Sequence, residues 1–329
     1  MGGFYMKKRI IIPLLLFIFF IVPIQAKEVY LGGDSIGIEI HYDGLLITST
    51  YNVNYQGKSY NPINDDIKPG DTLKEIDGQK IETIEDFNQV LNQNNNNKVI
   101  LTLLRDKKTI YRQLTVIREK DIIKTGLFLR DEIMGIGTLT YIDPETNTFG
   151  SLGHEILDQD TKQIVQFENG YLFHSSVNNI LKAQLSRVGE KQALIHFDET
   201  IGYIDKINQF GVFGKNIDSI SKDLIEIGYQ DEIKEEKALM YTVLENDSIE
   251  PIEILITKKY KQNKPDIKSF EFKIIDPNTL ERTNGIVQGM SGSPIIQNGK
   301  LIGAVTHVMM NDPTMGYGIY IENMLEVDR

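Results

Sequence analysis

Ser291 lies in Gly289-Met290-Ser291-Gly292-Ser293-Pro294, and a serine set between glycines ahead of a hairpin suits acyl transfer. Glycine at 289 and 292 lets the backbone turn sharply enough to converge N–H groups on one point, which a developing oxyanion requires. Of the two serines, Ser291 is the better nucleophile. Ser293 precedes a proline that has no N–H to give, whereas the amides of Gly289 and Ser291 can face the same carbonyl oxygen. The residues that follow, Pro294-Ile295-Ile296-Gln297, then Asn298-Gly299, then Lys300-Leu301-Ile302-Gly303-Ala304-Val305, predict two strands joined by a type I′ turn. A hydrolase elbow of the Gly-x-Ser-x-Gly kind would instead enter a helix and carry glycine at 293.

A serine nucleophile needs a base, and five histidines can be weighed: His41, His154, His174, His196 and His307. His154 is the best placed. Two strands, around 137–142 and 148–152, are joined by Asp143-Pro144-Glu145-Thr146-Asn147, and His154 ends the second of them behind Gly153. His41 falls in a separate amino-terminal module, His174 and His196 lie in alternating apolar and polar stretches, and His307 is the reserve. The acid is less determined by residue type. Asp276 follows the alternating run Phe270-Glu271-Phe272-Lys273-Ile274-Ile275 and precedes Pro277, as a turn residue would, and Asp158, Asp160 and Asp198 are alternatives.

Three segments together resemble a known family. They are Phe149-Gly150-Ser151-Leu152-Gly153-His154, the run from Asn284 through Gly299, and Ile302-Gly303-Ala304-Val305-Thr306-His307-Val308 with Asn311-Asp312-Pro313-Thr314 and Gly316-Tyr317-Gly318. The chain from about Tyr30 onward is similar to the stage IV sporulation protein B family, serine peptidases of spore-forming bacteria. The resemblance implies a mainly β fold with a chymotrypsin-like double β-barrel, His154 as general base, Ser291 as nucleophile and Asp276 as the acid that orients His154. It also implies a peptidase that crosses the forespore membrane, cleaves itself, and then cuts a membrane-embedded regulatory complex restraining the protease that activates sigma-K. Gly316-Tyr317-Gly318 is a possible backbone edge for a substrate strand or a plain turn.

Residues 30–118 read as a separate module. An alternating strand starts at Ser35-Ile36-Gly37-Ile38, a turn and hairpin occupy 66–78, helical spacing runs over 84–91, and a strand follows at 99–103. This order, with Lys68-Pro69-Gly70-Asp71 and Ile76-Asp77-Gly78, resembles a bacterial PDZ domain. The resemblance makes Ser35, Ile36, Gly37 and Ile38 the loop whose amides hold a peptide ligand's carboxylate. Residues 118–134 are charged and lack a long apolar alternation, so they are expected to be a connector to a peptidase domain at 119–329.

The amino end carries Lys7-Lys8-Arg9 and an apolar run over 10–24, which predicts a signal peptide or membrane anchor over residues 1–29. With no cysteine, disulfides, thiolate nucleophiles and cysteine-ligated zinc are excluded. The formal charge of −11 is spread without a basic stripe, which argues against a nucleic-acid partner. His154-Glu155-Ile156-Leu157-Asp158 has aspartate where a zincin has its second histidine, and no metal or other cofactor is implied. A PDZ-bearing quality-control protease and an inactive PDZ adaptor are the competing readings. The first of these usually carries its PDZ module after the protease domain.

Overall fold

The computed structural model describes residues 27–120, 122–162, 167–217 and 223–328; the predicted amino-terminal leader lies outside them, apart from its last residues. Alternation of β-branched residues sets the first strand. Ile36, Ile38 and Ile40 are buried on one face of β1 (Ser35–Thr50), between Gly37, Glu39 and His41. At Gly44, with φ +101°, the chain leaves this surface, and a Cβ there would stand 2.4 Å from the Leu73 carbonyl oxygen. The far end of β1 joins a smaller unit. This contains β2 (Thr72–Ile76), α1 (Ile84–Gln93), β3 (Lys98–Arg105) and β4 (Lys108–Thr115). Leu45, Ile47, Leu73, Phe87, Leu101 and Leu114 form its core. Thr83 and Asp86 exchange hydrogen bonds as a capping box at the start of α1.

The chain then returns as β5 (Leu127–Asp143), followed by β6 (Thr148–Ser151), β7 (Phe167–Leu181), β8 (Gly189–Asn208) and β9 (Gly211–Asn216). Antiparallel pairing runs β1-β5-β6-β9-β8-β7 and back to β1, so these strands close on themselves. A second closed barrel is built from β10 (Lys237–Glu245), β11 (Ser248–Lys259), β12 (Phe270–Ile274), β14 (Pro294–Gln297), β15 (Lys300–Met309) and β16 (Asp312–Tyr320). Between β12 and β14 lie α2 (Pro277–Thr283) and the short β13 (Val287–Gln288). Tyr141 and Phe213 of the first barrel pack with Leu301 and Ile319 of the second and with Ile321 and Met324 of α3 (Ile321–Asp328), which seals the seam. The fold is thus mainly β, with the expected pair of barrels. Among the described residues no helix is long and apolar enough to cross a membrane.

Three expectations need correction. Ser35, Ile36, Gly37 and Ile38 are not a carboxylate-binding loop. They are strand residues paired with β5 on one side, and Ile36, Gly37 and Ile38 also pair with β7 on the other, so the ladders occupy their backbone groups. The boundary of the amino-terminal module therefore cannot lie at 30, because β1 is one wall of the first barrel before it enters the smaller core. Nor is the stretch up to Met134 a connector, since 127–134 is the first half of β5. Its charged residues Arg130, Asp131 and Glu132 are consecutive and only partly buried, at a shift in the β1–β5 register, which hides the apolar period.

Candidate active site

The serine turn is held by the opposite barrel. Thr138 N–H donates to the Ser291 carbonyl at 2.9 Å, while the Thr138 and Thr140 hydroxyls donate to the Gly289 and Gly292 carbonyls, each at 2.7 Å. Both threonines are wholly buried on β5. Glycine is obligatory at 292: φ is +88°, and a Cβ would lie 2.2 Å from the Thr138 carbonyl oxygen and 2.5 Å from Leu152 N. The Met290 carbonyl accepts from the Ser293 amide at 3.0 Å, so the planar trans peptide turns the Ser291 N–H the other way. Ser291 and Gly289 line a cavity of about 940 Å³, together with His154, Thr306 and His307. Ser293 is fully buried beneath them and its hydroxyl reaches Thr138 Oγ1, so of the two serines only Ser291 lines the cavity.

His154 is presented by a strained turn. Leu152 has φ +66° and Gly153 N–H donates to the Ser151 carbonyl at 2.9 Å, a γ-turn of the uncommon positive-φ kind, tolerated because Leu152 is buried. His154 Nδ1 is 2.7 Å from the Glu155 carbonyl oxygen. A carbonyl can only accept, so Nδ1 carries the proton and Nε2 keeps its lone pair, the tautomer a general base needs. Burial pulls the imidazole below its usual 6.5, with the Glu155 hydrogen bond opposing, so the ring is neutral at pH 7. Ser291 Oγ donates to the Thr306 carbonyl at 3.2 Å, and no hydrogen bond joins it to His154 in this resting arrangement.

Asp276 is not brought to this place. It caps α2, accepting from Thr279 N–H at 2.6 Å, and does not line the cavity. The dipeptide Asp-Pro ahead of a helix is the signature of an N-cap with proline in the first turn, and that local role accounts for it. Among the alternatives, Asp158 is tied to Tyr42 and Arg130, and Asp160 to Arg130. Asp198 stands on the exposed part of β8. The group facing His154 Nδ1 is a main-chain carbonyl. Gly316-Tyr317-Gly318 offers no free edge either, being paired with both β12 and β15.

Two further residues belong to the site: His307, which the sequence held in reserve as a base, and Lys191, which it did not single out. His307 has its ring centroid 5.2 Å from that of His154, its Nδ1 is buried without a hydrogen-bond partner among the described residues, and burial followed by the His154 charge lowers it to about 4. It is therefore a neutral neighbour across the useful pH range. Lys191 is 1% exposed and lies under the serine turn: a Cβ on Gly289 would meet Lys191 Cδ at 2.9 Å. Its ammonium donates to Thr242 Oγ1 at 2.7 Å, and no carboxylate pairs with it among the described residues. A single lysine within an alternating strand gave no signal of such burial. The threonines had one, since Gly137-Thr138-Leu139-Thr140 places polar residues at every second position of a strand with apolar neighbours.

Two barrels meeting at a cavity that holds a turn-borne serine beside a neutral histidine define a serine endopeptidase. The chain belongs to the SpoIVB peptidase S55 family, whose model matches residues 121–325. A search of curated protein sequences finds no match. Among solved structures it is similar to the active form of the Rv3671c protease from M. tuberculosis, at 12% identity and a TM-score of 0.33, over 59% of this chain and 72% of that one. The inactive serine-to-alanine form of that protease, from M. tuberculosis H37Rv, gives 11% identity and a TM-score of 0.29, over 58% and 79%. Both likenesses are loose.

Proposed function

We propose that this chain is an extracytoplasmic endopeptidase of sporulation signalling, which cleaves itself and then a membrane-embedded regulatory complex, releasing the activation of sigma-K. Membership of the S55 family carries this reading. The basic and apolar amino-terminal residues are consistent with export to the forespore membrane and the space between membranes. In this mechanism Ser291 Oγ leaves the Thr306 carbonyl by rotating about χ1 and attacks the scissile carbonyl. His154 Nε2 takes its proton and returns it to the leaving amine, while the Glu155 carbonyl holds Nδ1–H. The amides of Gly289 and Ser291 stabilise the oxyanion. Thr138 and Thr140 fix the carbonyl sides of the same turn, so the donors are set before substrate arrives.

The smaller unit around α1 is read as a PDZ-like module that binds a peptide segment of the target or of the chain itself, by strand addition at an edge other than β1. The deciding experiment is complementation in a spore-forming host that lacks its own family member, with sigma-K-dependent transcription as the readout. Restoration by the unaltered chain and failure by Ser291→Ala supports the role. Restoration by both would make the protein a non-catalytic adaptor, and restoration by neither, with purified protein still labelled by a fluorophosphonate, would leave a peptidase of another pathway.

A further inference from the structure

One cluster on the first barrel has ligand chemistry that peptide hydrolysis does not use. Glu39 and His41 stand two apart on β1 and so share a face, and the antiparallel register sets Glu132 of β5 opposite His41. The ligand atoms of the three side chains lie within 4.8 Å of one another. His41 Nε2 is 2.5 Å from Glu39 Oε1, while Glu132 has no hydrogen-bond or ion-pair partner among the described residues. Burial, then the neighbouring carboxylates of Glu39 and Asp131, push the Glu132 carboxyl up. Arg130, the cation nearest along the strand, is already committed to Asp158 and Asp160. Asp131 is turned to the amide of Ile84. The Tyr171 ring, from β7, packs T-shaped with the His41 ring at 6.1 Å between centroids, so all three strands that frame the cluster help to orient it.

We propose that Glu39, His41 and Glu132 form a binding site for one divalent transition-metal ion, zinc before others, which bridges β1 to β5 beside the active-site cavity. Two carboxylates and a neutral imidazole match the charge of a divalent cation and leave a position for water. The imidazole favours zinc over magnesium or calcium, which take oxygen ligands. Glu132 itself lines the cavity that holds Ser291, so the ion would sit on the cavity wall. The ligands come from adjacent strands of a closed barrel, at the point where the β1–β5 register shifts between Arg130 and Glu132, so binding should lock that irregularity.

The test is calorimetric titration of chelator-treated full-length protein with zinc chloride. Because His154 and His307 could take zinc between them, the titration is run in parallel on His307→Asn, where that pair is broken. The expected result is one saturable equivalent that survives His307→Asn, raises the unfolding midpoint, and is not reproduced by magnesium or calcium. Glu39→Gln, His41→Asn and Glu132→Gln should each weaken it by about tenfold or more, given that even outer partners of a metal cost 10–100-fold. Glu39→Gln and Glu132→Gln keep side-chain shape, His41→Asn is smaller but polar, all three positions are partly exposed, and circular dichroism checks each fold. Failure of the unaltered chain to bind zinc, equal binding of magnesium, or unchanged affinity in the folded variants would each overturn the site. Should a variant not fold, an unfolding midpoint of the unaltered chain that ignores both zinc and chelator would do the same.

Discussion

At the scale of residues, burial separates groups that look alike in sequence. Ser291 faces the cavity and Ser293 lies beneath it, so Ser291→Ala should remove fluorophosphonate labelling and peptide cleavage by roughly 10⁴–10⁶-fold with the fold intact. His154→Ala should cost about as much, and the double variant no more. If labelling survives Ser291→Ala and fails in Ser293→Ala, the nucleophile is 293. His154 has its conjugate acid lowered by burial, so the acid limb of the pH–rate profile should fall below 6.5. Asp276→Asn keeps a competent helix cap, so turnover and midpoint should barely move; a loss of several orders of magnitude would return Asp276 to the mechanism. Ser291 and His154 were legible because glycines mark sharp turns, whereas the partner of His154 Nδ1 was not, since every residue has a carbonyl.

Lys191 adds a linkage that no motif announces. Burial pulls its ammonium from 10.5 to about 7. Between those values the unfolded chain holds a proton that the folded chain has lost, so stability rises with pH across that window, and below about 7 the folded protein bears the whole cost of a buried charge. At about 1.4 kcal/mol per pH unit the ceiling on this cost is roughly 5 kcal/mol. Lys191→Met keeps the stem that packs under Gly289. It should raise the midpoint at pH 7 and flatten the rise of stability between pH 7 and 9, followed by thermal unfolding at several pH values. A lower midpoint at pH 7 would mean that the bond to Thr242 outweighs the burial.

At the scale of elements, β1 shows how one strand can belong to two cores. Its alternating isoleucines and the turn at Gly44 were readable as strand and bend, yet which neighbours the strand would take was not, because period-two alternation fixes the faces and leaves the edges open. Gly37 makes the point testable. In a carboxylate-binding loop a small side chain at 37 would affect ligand binding alone. In the barrel a Cβ at 37 would lie 2.5 Å from Ile195 Cγ2 and 2.8 Å from Cγ1. Gly37→Ala should therefore destabilise the peptidase by about 1–3 kcal/mol, as overpacking does, with a lower denaturation midpoint in urea. Unchanged stability would argue that β1 is not seated between β5 and β7.

At the scale of the whole molecule, the smaller unit is an insertion in the first barrel. Its order of hairpin, helix and strand was legible from Asp66 to Leu103, but β4 and the frame were not, because the residues that bracket the unit read as strand on one side and charged connector on the other. Thr50 at the end of β1 pairs with Leu127 at the start of β5, and Tyr51 N–H donates to the Gly126 carbonyl at 2.8 Å. The chain thus leaves and re-enters the barrel at adjacent points, the geometry that tolerates an inserted domain. Residues 51–126 can then be replaced by Asn-Gly, whose type I′ turn suits a two-residue hairpin between those strands. Leu45, Ile47 and Leu127 face the excised core and should be made polar in the same protein, for example Leu45→Thr, Ile47→Thr and Leu127→Thr. This shortened chain should keep fluorophosphonate labelling of Ser291, since neither barrel loses a wall, while cleavage of the physiological target falls if the unit selects it. Deleting 30–118 instead removes β1 and should abolish folding altogether. A shortened chain that is folded by circular dichroism yet unlabelled would show that the inserted unit acts on the serine turn through the barrel, and recognition would no longer suffice as its role.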